Sequence, residues 1–454
     1  MRTAIATVVL ALALPLGARA AHAEAFARPI VLDKQAHPVA QTTISHIVYM
    51  NNCMPDGCDL TGGDNDDAAN HVSVYANPGG SHLSAYKYGD ASWASLVDCA
   101  KLTYAPFDIT VVDKRPTSGA YNEIIVAGTP TELNSSGQLD GAGGVAPLIG
   151  CGAHYDNMIS YMFAGLTGDH NYLCGGVAQE TSHVYGLSHE LNPDDPLTYL
   201  NLGSHKTFQN TLTQCGEDLN QPHSCYCGGQ QQNSYAYLMS NFGPFVLRDD
   251  ATMTLTSPTD GAWLRPGFKI NAEVSDQLPV ASATLSFDAT PFGTPKTAGP
   301  YRWDSPVLPA GDHTITVAAT DMASPARNLM ASVTVHIIGA CDATGACPSG
   351  LSCLGGTCYP DSTVTGGLGA TCTGAEQCLT GQCASDGSTS ACTGKCDAGK
   401  VCPTGFTCLD DGGDGICWAG STSSGGCNVG GASGSLVMLA GLGLVLNLRR
   451  RRRA

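Results

Sequence analysis

The sequence predicts a multidomain chain made of a mixed α+β domain, then an all-β sandwich, then a small disulfide-rich repeat region. Its cysteines fall in separate blocks: eight between Cys53 and Cys227, none from 228 to 340, and twelve between Cys341 and Cys417. The hydrophobic pattern changes with them, from mixed before residue 250 to strict alternation after it. A length of 454 residues also exceeds one domain of roughly 100–200 residues. With 55 Gly, 25 Pro and 43 % hydrophobic residues, the chain reads as foldable and loop-rich, neither disordered nor a coiled coil.

The first element is an export signal over 1–23. Arg2 precedes an apolar run from Ala4 to Leu16 and the small-residue site Ala21-His22-Ala23. A lead-in, 24–40, follows. The formal charge is −17, and removing Arg2, Arg19 and Arg449 to Arg453 with the two ends leaves 15 basic against 39 acidic side chains. Such a surface repels polyanions, so no nucleic-acid partner is expected. Export also makes the 21 cysteines a disulfide framework rather than reduced thiols.

The α+β domain occupies 41–249. Ile44 to Met50, Asp108 to Asp113 and Asn122 to Gly128 are strand-like, rich in Ile and Val. Ser92 to Leu102 places Trp93, Leu96, Val97 and Ala100 on one helical face. Cys53 and Cys58 are set to close a small loop, and Cys151 with Cys174 is one way to tie the following loop to the body. The run Asp64-Asn65-Asp66-Asp67 offers oxygen ligands for Ca2+ but lacks the twelve-residue loop spacing with a closing Glu.

The stretch from Gln179 to Glu190 carries the chemistry. Gln179 and His183 are spaced i, i+4, so on a helix they share a face and can hold one metal ion. Glu180 projects beside that ion, where a carboxylate can take a proton from activated water and pass it to a leaving amine. Gly186 can end the helix in a left-handed conformation, and the reversal returns His189 as a further ligand. His154, His170 and His205 read as loop histidines, and Met239 as a core residue. Cys215, Cys225 and Cys227 beside His223 read as disulfide partners rather than as metal ligands.

This stretch resembles the H-E-x-x-H-x-x-G-x-x-H signature of the metzincin zinc metalloproteases, with Gln179 at the first histidine position. The resemblance implies a zincin fold, one Zn2+ held by His183, His189 and Gln179 or water, and Glu180 as general base on a peptide or protein substrate. It also implies a Met-containing turn beneath the metal. Here Leu197 stands in the Met position, a volume-conserving exchange, and Tyr199 two residues later stands where some metzincins bring a tyrosine to stabilise the oxyanion. Gln179 matters more, because a neutral amide is a poorer zinc ligand than imidazole. Two functions follow from the resemblance: a secreted or surface-displayed zinc metalloendopeptidase weakened at one ligand, or a catalytically inactive metzincin-fold protein acting in binding or adhesion.

The sandwich occupies 250–339. Phe268, Ile270, Ala272 and Val274 alternate with polar residues, as do Ala281, Ala283, Leu285 and Phe287, then Ile315, Val317 and Ala319, then Val333, Val335 and Ile337. About seven short strands are expected. The segment resembles the bacterial immunoglobulin-like modules that follow secreted catalytic domains.

Residues 340–420 hold an internal repeat: Cys341, Cys347 and Cys353 recur as Cys396, Cys402 and Cys408, with Cys-Pro-x-Gly carried along. Apolar residues are scarce there, so disulfides replace a core. After a linker at 421–426, the tail 427–454 runs from Cys427 through a short apolar segment to five arginines. That order resembles the MYXO-CTERM signal of myxobacterial surface proteins, which implies processing at Cys427 and a tail that engages the membrane or a sorting machinery. The apolar run, Leu436 to Leu448, is shorter than the roughly 20 residues that span a bilayer, and the alternative is a C-terminal anchor held by its arginines.

Overall fold

The computed structural model describes residues 45–147, 156–397, 401–409 and 413–419; the expected signal, the lead-in, His154, Cys151 and the tail with Cys427 lie outside the described residues. The chain divides into two compact units, the boundary falling after Gly339.

The first unit begins with a five-stranded sheet. In chain order its strands are β1 (Ile47–Asn51), β2 (Thr110–Val112), β3 (Asn122–Val126), β4 (Gly144–Val145) and β5 (Ile159–Met162). They stand side by side as β2-β1-β3-β5-β4, all parallel except β4, the edge strand, which runs antiparallel to β5. Alternate residues of each strand supply two cores, as the period of two requires. Val48, Met50, Ile124, Val126 and Met162 face helix α1 (Asp90–Tyr104) and helix α2 (His170–Val184), while Tyr49, Ile125, Ile159 and Tyr161 face the opposite side. There they meet a small sheet of Cys58–Gly62, Val72–Ser73 and Ser81–Leu83.

The three expected strands and the expected helix are present with slightly different ends, and Trp93, Leu96, Val97 and Ala100 are buried. The sequence left β4 and β5 unassigned. β4 is two residues long, and β5 is buried along its whole length, so neither shows an alternation. Cys174 pairs with Cys99, not with Cys151: α1 and α2 pack together and bring the two Cα atoms within 6.1 Å. Cys53 and Cys58 close their loop as expected.

The sandwich has eight strands in two sheets. One contains Thr252–Ser257, Lys269–Ser275 and Tyr301–Asp304, and the other contains Trp263–Leu264, Asn328–Ile337, Gly311–Asp321, Val280–Phe287 and Thr290–Lys296. Ile270, Ala272, Leu285, Phe287, Ile315, Val317, Val335 and Ile337 fill it. Ala281 departs from the expected face because the register shifts between Val280 and Ser282, so that Val280 is buried instead.

The second unit is stapled by disulfides. Cys341–Cys353 interleaves with Cys347–Cys358, and Cys396–Cys408 with Cys402–Cys417. Between them lies a third module of the same pairing, Cys372–Cys383 with Cys378–Cys392. The sequence reading missed it because its third cysteine comes one position early and Leu379 replaces the proline. Disulfides at this density belong to an oxidising, extracellular setting. Among the described residues no helix is long and apolar enough to cross a membrane.

Candidate metal centre

Helix α2 starts at Asp169, whose side chain accepts the Tyr172 N–H at 2.8 Å. It lies close under the sheet because Gly176 has no side chain: a Cβ there would meet Met162 Sδ at 2.3 Å. Its last two turns carry Gln179, Glu180 and His183, all buried. The helix ends at Gly186, whose φ of 92° only glycine adopts freely. Gly186 N–H donates to His183 O and Leu187 N–H to Ser182 O, the paired bonds of a Schellman stop. The chain thus reverses and returns His189 to the helix.

The two imidazoles meet edge to face with Nε2 atoms 2.9 Å apart. Each has its other nitrogen engaged. His183 Nδ1 lies 2.7 Å from Leu187 O, and His189 Nδ1 lies 2.9 Å from Glu217 Oε2. A carbonyl and a carboxylate only accept, so these neighbours favour a proton on each Nδ1, which turns both Nε2 lone pairs toward the same spot; the His189–Glu217 contact is an ion pair in which Oε2 makes no aligned hydrogen bond. Two further groups join them: Tyr199 Oη lies 2.9 Å and the Gln179 amide nitrogen 3.4 Å from His189 Nε2. Turning the Gln179 amide over would offer its oxygen instead. A tetrahedral ion with bonds of about 2.0–2.1 Å sets its donors about 3.3 Å apart; the distances here, 2.9, 2.9 and 3.4 Å, come near that spacing, and of the four groups the two imidazoles are usual zinc ligands.

Burial governs the electrostatics. It lowers the His183 pKa to about 3, helped by the neighbouring His189. It raises Glu180 to about 8, against a hydrogen bond from Gln179, and leaves Glu180 Oε2 without a partner. Tyr199 is pushed well above the usual phenol range by burial and then by Glu180 and Glu217. Burial would also raise Glu217, but His189 and His223 outweigh it and hold the carboxylate at about 2.

A narrow cleft of about 30 Å³ opens beside this cluster, between Gly143 and Gly144, Gln179 and Glu180 of α2, and Pro196, Thr198 and Tyr199; neither imidazole lines it. The segment from Leu197 to Tyr199 is fixed from below by Asp195. One carboxylate oxygen accepts Leu197 N–H at 2.9 Å, and the other accepts Gln209 N–H at 2.8 Å and the Ser234 hydroxyl at 2.5 Å. Leu197 is wholly buried with Val184, Tyr185 and Leu187.

Gln179, Glu180, His183, Gly186, His189, Leu197 and Tyr199 are therefore brought together, while Cys427 lies outside the described residues. The remaining candidates lie elsewhere. His205 sits against Cys99 Sγ at the α1–α2 disulfide, and Met239 packs against the core. Asp66 turns inward, where its oxygens accept Val74 and Ile159 N–H at 2.8 and 3.0 Å, leaving it out of any calcium ligand set. Cys215 pairs with Cys225. The sulfurs of Cys341, Cys347 and Cys353 lie within 4.8 Å of one another, but each is consumed in a disulfide. Sequence reasoning missed Glu217 and Asp195. Each acts across a fold contact that no local spacing announces.

No curated protein matches the chain. Among solved structures it is similar to the fibronectin(III)-like modules of Clostridium thermocellum CbhA, at 20 % identity over 19 % of this chain and 94 % of that one, with a TM-score of 0.18. It is also similar to the endo-beta-1,4-mannanase from Thermotoga petrophila, at 17 % identity over 30 % of this chain and 32 % of that one, TM-score 0.17. A lytic polysaccharide monooxygenase of Jonesia denitrificans follows at 13 % identity over 25 % of this chain and 72 % of that one, TM-score 0.15. Residues 252–317 match the bacterial Ig domain family. The chain is thus a β-rich multidomain protein with a bacterial Ig-like domain followed by a disulfide-rich C-terminal region.

Proposed function

We propose that the first domain is a metzincin-like zinc metallopeptidase, exported by its signal and displayed or released at the cell surface, that hydrolyses peptide bonds. The observation that carries this reading is the pair of buried imidazoles whose Nε2 atoms face each other at 2.9 Å, each with an acceptor beside its Nδ1, an arrangement that favours the proton on Nδ1 and opposes the two Nε2 lone pairs. Lone pairs so opposed repel unless a cation stands between them. When bound by His183, His189, Gln179 and Tyr199 or water, zinc supplies Lewis acidity that polarises a carbonyl and makes water acidic near neutral pH.

The chain's own groups supply the rest. Glu180 Oε2 is buried, unpartnered and on the cleft wall, placed to hold a proton taken from water and return it to the departing amine. Its raised pKa gives it the proton affinity such a shuttle needs. Tyr199 can donate its hydroxyl proton to an oxyanion. Gly144 of the edge strand β4 lines the cleft, so an extended peptide has a strand to lie along.

The test is zinc content of the full oxidised chain beside His183→Ala and Gln179→His. About one zinc per chain, lost in His183→Ala, is expected, with peptidase activity falling about 10²–10⁴-fold in Glu180→Gln while the zinc stays. Zinc absent from the natural chain but present in Gln179→His would overturn the reading. Gln179 itself favours a second function, a fold kept for binding after loss of the ligand, in which Glu180→Gln changes nothing.

A further inference from the structure

We infer that Glu217 is the positioning residue of this centre: from a loop closed by the Cys215–Cys225 disulfide, its carboxylate fixes the His189 ring with the proton on Nδ1 and the Nε2 lone pair toward His183. That His189 is a ligand rests on the function proposed above; its tautomer does not.

The two histidines are oriented by different means. His183 is held locally, by the Leu187 carbonyl of its own helix stop at 2.7 Å. His189 has no such partner and depends on a side chain 28 positions further along. Glu217 reaches it with Oε2 at 2.9 Å, an ion-pair contact off the hydrogen-bond line, while Oε1 is held by a hydrogen bond with His223 Nε2 at 3.1 Å. The loop is seated on the segment it serves. Gly216 N–H donates to His189 O at 3.2 Å, Glu190 and Cys215 form a β-bridge, and Cys215 N–H donates to Gln230 O at 2.9 Å. Gly216 permits this closeness, since a Cβ there would meet Gln221 O at 2.8 Å. The disulfide then closes the loop around Glu217.

The chemistry follows from what a carboxylate lacks. It can only accept, so it favours the single imidazole proton on the nitrogen beside it and leaves the opposite nitrogen as a lone-pair donor. An amide in the same place can donate or accept, so it leaves the tautomer open. Carboxylates that back metal-ligating histidines in this way set both ring orientation and ligand basicity.

The experiment uses the full oxidised chain, metal-free and at a pH where the imidazoles are neutral, with ¹⁵N-labelled histidine. The tautomer of His189 is read by long-range ¹H–¹⁵N correlation and assigned by its loss in His189→Asn. The natural chain should carry the proton on Nδ1, and Glu217→Gln should shift the ring to the other tautomer or a mixture. An Nε2–H ring in the natural chain, or the same tautomer in Glu217→Gln, would overturn the inference. Competition with a chelator supplies the second readout, in which zinc affinity should weaken about 10–100-fold in Glu217→Gln and return toward normal in Glu217→Asp. Unchanged affinity would also count against it. If the natural chain binds no zinc, the proposed peptidase falls, while the tautomer still decides the role of Glu217. Should Glu217→Gln misfold, as a rise in free thiols would reveal, Glu217→Asp carries the tautomer test, with an Nδ1–H ring supporting the inference and an Nε2–H ring overturning it.

Discussion

Single residues in this chain do work that distance in sequence conceals. Asp66 is buried, and burial raises its pKa from 3.8 to about 7, against the two backbone N–H groups that pull it down. Between those values the folded chain keeps the proton and the unfolded chain loses it. The stabilisation is therefore full below the unfolded pKa and is lost as pH rises through the folded one, by about 1.4 kcal/mol per pH unit. Asp66→Asn should flatten the dependence of unfolding free energy on pH between about 4 and 7 relative to the natural chain. Urea melts across that range check it, and parallel curves would refute it. Gly186→Ala should cost about 1–2 kcal/mol, because alanine is strained at a φ of 92°, read as a lower melting temperature. Glu180, His183, Gly186 and His189 were legible because helical period and a glycine stop act within ten residues. Asp66 and Glu217 were not, because their partners Ile159 and His189 lie 93 and 28 positions away.

Among the elements, the pairing of α1 with α2 sets how well the centre is held. Cys99–Cys174 joins the two helices over 75 residues, and Tyr104 adds hydrogen bonds to Ala178 O and to the Thr181 hydroxyl. Replacing both cysteines with alanine should remove up to about 4 kcal/mol of stability, measured by denaturant titration. A loss of similar size in the Cys53–Cys58 pair, which spans 5 residues, would show that loop length is not the cause. Most elements with a clear period were visible in the sequence, namely α1, the sandwich strands and α2 through its motif. β4 was not, since two residues cannot show a pattern, and it stands over α2 only because Gly144 admits Glu180: a Cβ there would meet Glu180 Oε1 at 2.6 Å.

At the scale of the molecule, the α+β domain and the sandwich form one unit joined by charge. Arg248 binds Asp108 at 2.6 Å and passes its carbonyl to Arg327, which in turn holds the buried carboxylates of Asp276 and Asp321. Arg327→Ala strands both carboxylates and should destabilise the sandwich by about 3–5 kcal/mol. Calorimetry should then resolve its unfolding ahead of the first domain, whereas a single unchanged transition would contradict this. The interleaved disulfides of the second unit have a mechanical consequence. If the chain is pulled by its ends, the load from Cys341 to Cys358 takes the shortest covalent path, across the Cys341–Cys353 bridge and then along the five residues to Cys358. The segment can lengthen to about 20 Å rather than about 60 Å. Three such modules in series shorten what tension can draw out of the unit and leave its lengthening to the unstapled segments between them.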